Sequence, residues 1–481
     1  MVAVPNQESP APSAHPEHFD IAVIGTGSGN SIPGGPLAGK RIAVIEESTF
    51  GGTCINVGCI PTKMFVYPAE LAEGAREASR LGVDAEVVDV RWRDMRDRIF
   101  DRIDTIVAGG RRYRKSGGDG VTLFEGHGEF TVDQPGDGTY RLAVTSGVDA
   151  GTVLTADHVV LASGSRVLVP DKIRDSGVPY HTSDTIMRLD EVPERLTIVG
   201  AGYIAAELGH VFGSLGAKVA IVARSNGLLN SLDPEMSKRF TKAATAKWSV
   251  HLKHKVVKAE GDATEQRLTL DDGQVLHSDV VLVAIGRVPN SDRLGLDRVG
   301  VEVADDGVVV VDRHQQTTVP RIWALGDVAN RYQLKHVANH EERVVQHNVA
   351  HYNDRAQWVE SDHRFVPSAV FTHPQLAQVG RTEQEALAEG FDVVCATQEF
   401  GSTAYGWAME DTSSLCKLVA DRSTGLLLGA QLIGPQASVL IQPLIQAMSF
   451  GLPVRDMARG QYWIHPALTE VVENALLALE L

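Results

Sequence analysis

The sequence predicts an α/β chain of several domains, and three observations carry that reading. Two apolar strands run directly into glycine turns, in FDIAVIGTGSGNS near the start and in RLTIVGAGYIAAELGHVFGSLGAKVAIVAR near the middle, and each turn is followed by a second apolar strand. A strand, a glycine turn and a return to a parallel strand describe the βαβ unit of a dinucleotide-binding fold. The third observation is length, because 481 residues exceed a single core and point to about three domains. The chain therefore reads as two Rossmann-like units and an α+β C-terminal domain, the last from several β-like runs and a long apolar helix, SVLIQPLIQAMSFGL.

Composition narrows the partners. With 43% apolar and 22% charged residues the chain is an ordinary soluble globular protein. A formal net charge of -16, from 45 basic and 61 acidic residues, argues against nucleic acid or an anionic membrane. No apolar run is long enough to span a bilayer, and the first residues lack a basic segment followed by an apolar one, so a cytoplasmic protein is expected. Four cysteines make no disulfide framework, and in a reducing compartment a lone close pair is catalytic more often than structural.

Taken in order, residues 1–17 are rich in Pro, Ser and Ala without hydrophobic period and read as a disordered tail. From His18 the first strand leads into Gly25, Gly27 and Gly29, whose backbone N–H groups can face a pyrophosphate. The third fingerprint position is Asn30, and PGGPLAG is a poor helix, so a short or irregular first crossover is expected. The strand RIAVIEE ends at Glu46, about 20 residues on, where a carboxylate can bind a ribose hydroxyl.

Next comes GGTCINVGCIPTK, Gly51 to Lys63, with Cys54 and Cys59. Residues at that spacing lie roughly 8 to 9 Å apart in an ideal helix, whereas a disulfide needs less than about 7 Å. Pairing would demand a distorted backbone and give a reducible bond suited to exchange. Cys395 and Cys416 read as small apolar core residues. Val66–Leu81 and Trp92–Arg114 have helical spacing, and VTLFEGHGEF, YRLAVTS and ADHVVLASGSR read as strands, the last closing at Ser163 and Gly164.

The second fingerprint holds Gly200, Gly202 and Ala205 before a strongly helical run, and Arg224 stands where an NAD site would want an acid. A guanidinium can pair with a 2'-phosphate, which favours NADPH, although the neighbouring position expected to carry a second arginine is Asn230. A helix from about Lys335 to Asn348 carries His336, His340 and His347, but no third ligand is evident and no metal site is expected. Near the end His465 precedes a proline and Glu470 follows five residues later, so a carboxylate can fix the imidazole's tautomer and raise its basicity.

GGTCINVGCIPTK is similar to the active-site signature of the pyridine nucleotide:disulfide oxidoreductases, the family of glutathione reductase and dihydrolipoamide dehydrogenase, and the resemblance extends over residues 18–481. It implies an FAD-binding domain in two parts (18–168 and 290–362), an NADPH-binding domain (169–289) and a dimerisation domain (363–481). FAD would then be held by Gly25, Gly27, Gly29, Asn30, Glu46, Gly52, Thr53, Lys63, Gly128, Ser163, Gly164, Arg287 and Asp327. NADPH would lie over Gly200, Gly202, Tyr203, Ile204, Glu207, Arg224 and Gly286, with Tyr203 as a lid.

The resemblance also implies roles. Cys59 is the thiolate beside the flavin, Cys54 the interchange thiol, Lys63 the partner of Glu207, and His465 with Glu470 an acid/base pair entering the active site of a second copy. Electrons would pass from NADPH through FAD and the dithiol to a small-molecule disulfide. Two other readings stay open: a dihydrolipoamide dehydrogenase or glutathione reductase-like enzyme, and a non-catalytic FAD-binding redox sensor. A sensor has no use for an acid/base dyad, and an NAD-linked dehydrogenase would not want Arg224.

Overall fold

The computed structural model describes residues 16–481. The tail read over 1–17 lies outside the described residues as far as residue 15. Its end differs from expectation: Glu17 already opens strand β1 (Glu17–Ile24), paired in register with Leu154 and ion-paired to Arg41 at 2.7 Å. The described chain divides into two compact units, one comprising the residues up to Gly52, Val107–Ser165 and Pro289–Ser361, the other Thr53–Ile106, Arg166–Val288 and Asp362–Leu481.

The first unit is built on a mixed sheet. Strands β2 (Ile42–Glu46), β3 (Val121–Glu125), β4 (Gly128–Phe130), β5 (Tyr140–Val144) and β6 (Val153–Leu161) join β1 in the order β3-β2-β1-β6-β5-β4, and Ile322–Ala324 pairs in parallel with β6. Neighbours around β1 are parallel, Val23 facing Val44 and Val160, whereas β4, β5 and β6 are antiparallel. Side chains alternate between faces. Ile21, Val23, Ile42, Val44 and Val160 enter one core, and Ala22, Ile24, Ala43, Ile45 and Leu161 enter the other. Burial on both sides explains why these strands read as unbroken apolar runs.

The second unit holds a parallel sheet, Ser249–Leu252, Lys218–Ala223, Arg195–Val199 and Val280–Val283 in spatial order, and a five-stranded antiparallel sheet between Ser368 and Gly434. The long apolar helix expected at SVLIQPLIQAMSFGL is instead two, Ala437–Leu440 and Gln442–Phe450. Pro443 sits in the first turn of the second piece, where its missing N–H costs nothing, and it cannot continue the helix before it. Leu440, Ile441, Leu444, Ala447 and Met448 still reach one core, which also takes in Cys416 and Leu418.

Among the described residues no helix is long and apolar enough to cross a membrane.

Candidate active site

The two cysteines sit on either side of a break between helices. Helix α1 (Gly52–Asn56) carries Cys54, and helix α2 (Cys59–Glu77) begins at Cys59, seven residues earlier than the period of apolar residues predicted. Pro61 falls in the first turn of α2, where no backbone donor is needed, so CIPTK is helical despite its proline. Gly58 caps α2 at φ −120 and ψ −124, and a Cβ there would lie 3.0 Å from the Thr53 carbonyl oxygen and 3.2 Å from Cys54 Cα. Glycine thus lets the turn bearing Cys54 fold back against the start of α2. The helix is broken between the two cysteines.

All four cysteines are thiols. The Cys59 thiol is brought down from an ordinary 9.0 to about 6: a hydrogen bond from Cys54 favours the thiolate, shielding from water opposes it, and the Lys63 ammonium assists while Glu207 resists. Cys59 is also the first residue of a long helix, the end that stabilises negative charge. Burial pushes Cys395 up to about 11 and Cys416 up to about 12, so neither offers a thiolate.

Lys63, one turn beyond Cys59, places Nζ 2.7 and 2.6 Å from the two carboxylate oxygens of Glu207. Glu207 is buried on the helix Tyr203–Ser214 and also accepts the Phe371 backbone N–H at 2.9 Å. The Phe371 ring lies 4.6 Å from the Lys63 ammonium. Sequence reasoning passed over Phe371, whose run SAVFTHP reads simply as strand and turn.

Tyr203 and Ile204 open the helix that bears Glu207, and Tyr203 is 41% exposed. Gly200 and Gly202 form that turn and Gly286 leaves the parallel sheet's last strand. Arg224 follows the strand Lys218–Ala223 and is exposed, while Asn230 is engaged with Ser237 and Asn226. Arg287 is nearly buried, 3.6 Å from Asp184.

In the first unit the turn after β1 runs into a four-residue 3-10 helix, Ser28–Ser31, and then a second short one, Gly35–Leu37, so the first crossover is irregular. Gly25 and Gly27 lie in the turn, and Gly29 lies in the first 3-10 helix. A Cβ on Gly52 would sit 2.5 Å from Gly27 Cα, so two glycines leave backbone open where side chains would fill it. Ser163, at the end of β6, has its hydroxyl buried with no hydrogen-bond partner among the described residues. A bare backbone cradle beside an orphaned hydroxyl fits the pyrophosphate of FAD.

Glu46 accepts from Thr26 N and Oγ1 (2.8 and 2.5 Å) and from Ser48, and Thr26 Oγ1 in turn accepts from Gly51 N at 2.8 Å. Thr26 escaped the sequence reading because it fills an unspecified fingerprint position. Asp327 accepts from Ser165 Oγ at 2.6 Å, and buried Glu341 anchors the same loop through Gly326 N and Asn330. Gly164 follows β6, and Gly128 opens β4.

The departure at Asn30 has a physical counterpart. Buried Arg114 donates to the Asn30 side-chain oxygen at 2.9 Å and to its carbonyl at 2.6 Å, and its other arm reaches Asp119 at 2.8 Å. A glycine at position 30 would remove one of these acceptors. Thr53, on α1, is exposed and contributes its carbonyl to Val57 N.

His465 Nδ1 lies 2.7 Å from Glu470 Oε1, while Glu470 Oε2 accepts from Ala467 N at 3.3 Å. The imidazole is 73% exposed and its carboxylate partner 17%. Both members of the pair lie within the C-terminal segment.

The family described as pyridine nucleotide-disulphide oxidoreductase matches residues 19–341, and its dimerisation domain matches residues 366–476. The chain is 53% identical to the mycothione reductase of Mycobacterium tuberculosis, over 96% of its own length and 100% of that protein's. It is 30% identical to the dihydrolipoyl dehydrogenase of Bacillus subtilis over 96% of each. Among solved structures, the Cu(II) complex of an HOCl-induced flavoprotein disulfide reductase from Escherichia coli superimposes with TM-score 0.79 at 25% identity, covering 94% of this chain and 98% of that one. LpdA from Mycobacterium tuberculosis has the same fold, with TM-score 0.82 at 24% identity over 96% and 99% of the two chains. The chain belongs to the pyridine nucleotide-disulphide oxidoreductase family.

Proposed function

We propose that the protein is an NADPH-dependent flavoprotein reductase of mycothione, converting that small-molecule disulfide to two thiols in the cytoplasm. The observation that carries the substrate is the 53% identity to a mycothione reductase over 96% of the chain, against 30% to a dihydrolipoyl dehydrogenase. The segments GTGSGNSI, HTSDTIMR, LKHVANHEERVVQHN, AYGWAMEDTS and MARGQYWIHPAL resemble that enzyme in particular.

When bound, FAD would carry the two electrons of NADPH to the Cys54–Cys59 disulfide and so restore the dithiol. The chain's residues do the rest. Cys54 attacks one sulfur of the substrate and expels the first thiol. Cys59, whose thiolate is present at neutral pH, then attacks Cys54, releases the second product as a thiolate that takes its proton from water, and leaves the Cys54–Cys59 disulfide for the next reduction. His465 of the partner subunit takes the proton of Cys54 and returns it to the first leaving thiolate, with Glu470 of the partner subunit holding its Nδ1. Lys63, held by Glu207, keeps positive charge near the ring that accepts the hydride.

The working form is a homodimer. The match to a dimerisation domain supports it, and so do the bare apolar side chains of Val439, Phe450, Tyr462 and Ile464 in that domain. Domain limits of 18–168 with 290–362 for FAD, 169–289 for NADPH and 363–481 for dimerisation complete the reading.

The test is steady-state turnover of the purified yellow protein with NADPH against a panel of disulfides. Mycothione should give the highest kcat/KM. A preference for lipoamide or glutathione disulfide would replace the substrate, and bound FAD without turnover of any disulfide would favour a sensor.

A further inference from the structure

Lys335 is a cation in a place that electrostatics disfavours. It is the first residue of the helix Lys335–Ala350, whose first turn holds no acidic residue, so its charge adds to the positive end of the helix macrodipole. Other lysines shielded in part from water face carboxylates: Lys63 meets Glu207, Lys247 meets Glu73, and Lys417 meets Asp233 and Glu383. Lys335 meets none among the described residues; its recorded bond is to a hydroxyl, Ser28 Oγ, at 2.9 Å. Glu342, two turns along the same helix and about 10 Å of axial rise away, feels the Lys335 charge but forms no ion pair with it among the described residues.

The hydroxyl identifies the missing charge. Ser28 is buried in the glycine turn after β1, and it in turn donates to Asn339 Oδ1 at 3.1 Å, one turn beyond Lys335. The helix thus reaches the turn through two side chains, one of them an ammonium. In a regular dinucleotide fold the crossover helix supplies the positive end that faces the pyrophosphate. Here that helix is reduced to Ser28–Ser31, a single 3-10 turn with little dipole to offer.

We propose that Lys335 binds the FAD pyrophosphate, its ammonium replacing the field that the truncated crossover does not provide. The inference rests on the reading of the chain as an FAD protein and adds a residue to that site. An ammonium on a diphosphate is a charge-assisted contact, so its removal is expected to weaken FAD retention by roughly ten-fold or more.

The experiment uses full-length holoenzyme: wild type, K335Q, K335R and, as a surface control, K172Q. FAD release is followed by recovery of flavin fluorescence across a potassium bromide series. K335Q should release FAD roughly ten-fold faster than wild type, with a shallower dependence on ionic strength, while K335R and K172Q stay near wild type. Retention of FAD by K335Q at the wild-type level overturns the proposal. So does unchanged retention with a shifted flavin reduction potential, which would place the ammonium at the ring. Should K335Q not fold, the salt series on wild type still decides, since FAD release indifferent to ionic strength is incompatible with a lysine–diphosphate contact. Wild-type protein that binds no flavin would instead refute the flavoprotein reading, which is a different failure.

Discussion

Glu207 Oε2 lies 2.6 Å from Lys63 Nζ, and the two residues pull the thiol of Cys59 in opposite directions. The ammonium favours the thiolate and the carboxylate disfavours it. Lys63→Met should therefore raise the Cys59 pKa above about 6, and Glu207→Gln should lower it below. The pH dependence of ultraviolet thiolate absorbance reads both, and shifts of the same sign in the two variants would contradict the arrangement. Lys63→Met also strands a buried carboxylate with only the Phe371 N–H. A loss of about 1–3 kcal/mol in urea unfolding is expected, below the figure for fully buried pairs because the lysine is a third exposed.

Stability of the reduced protein should depend on pH through the same thiol. Cys59 titrates near 6 in the folded chain and near 9.0 when unfolded, so between those values the unfolded chain holds the proton that the folded chain has lost. Stability then rises with pH from about 6 to about 9, is fully present above that window and is lost as pH falls through it. Urea midpoints under reducing conditions should show this rise in wild type and lose it in Cys59→Ser. An identical pH profile in the two proteins would exclude a depressed Cys59.

What could be read in the sequence was whatever one residue type decides by itself. Glycines after a strand, two thiols at fixed spacing and a carboxylate at a strand end each have few uses, whereas the pairing of Lys63 with Glu207 came from the family resemblance. What escaped depends on residues brought together from far along the chain. Arg114 gives no sign in sequence that it will hold Asn30, and Phe371 none that its backbone will reach Glu207. The start of α2 was missed because Cys59–Lys63 lacks an apolar period, and capping by Gly58 with Pro61 in the first turn decides it instead.

Arg114 should matter more than the asparagine it holds. Arg114→Met removes a buried fork and leaves the Asn30 carbonyl, its side chain and Asp119 without that donor, at about 2–4 kcal/mol. Asn30→Gly removes one acceptor and should cost roughly 1 kcal/mol. Because the two share a bond, the double variant should lose less than the sum in chemical denaturation. Strict additivity would mean that the contact carries no energy.

Arg224 is exposed beyond its strand, so Arg224→Glu should leave unfolding within about 0.5 kcal/mol of wild type. Its effect belongs to the coenzyme. The ratio of kcat/KM for NADPH over NADH should fall by roughly ten-fold or more, as expected for loss of a charge-assisted contact to the 2'-phosphate. An unchanged ratio would move recognition of that phosphate to other residues.

The His465–Glu470 dyad gives the sharpest test of the dimer. At 73% exposure the imidazole contributes little to the fold of its own chain, so His465→Ala should unfold like wild type yet lose roughly 10²–10⁴ in turnover. Glu470→Gln keeps the hydrogen bond but removes the charge, and should lose less. Now let His465→Ala be refolded with an equal amount of Cys54→Ser, each inactive alone. If the dyad serves the partner's dithiol, every mixed dimer regains one intact site, and random pairing restores about a quarter of wild-type activity. If the dyad serves its own chain, the mixture stays as inactive as its parts.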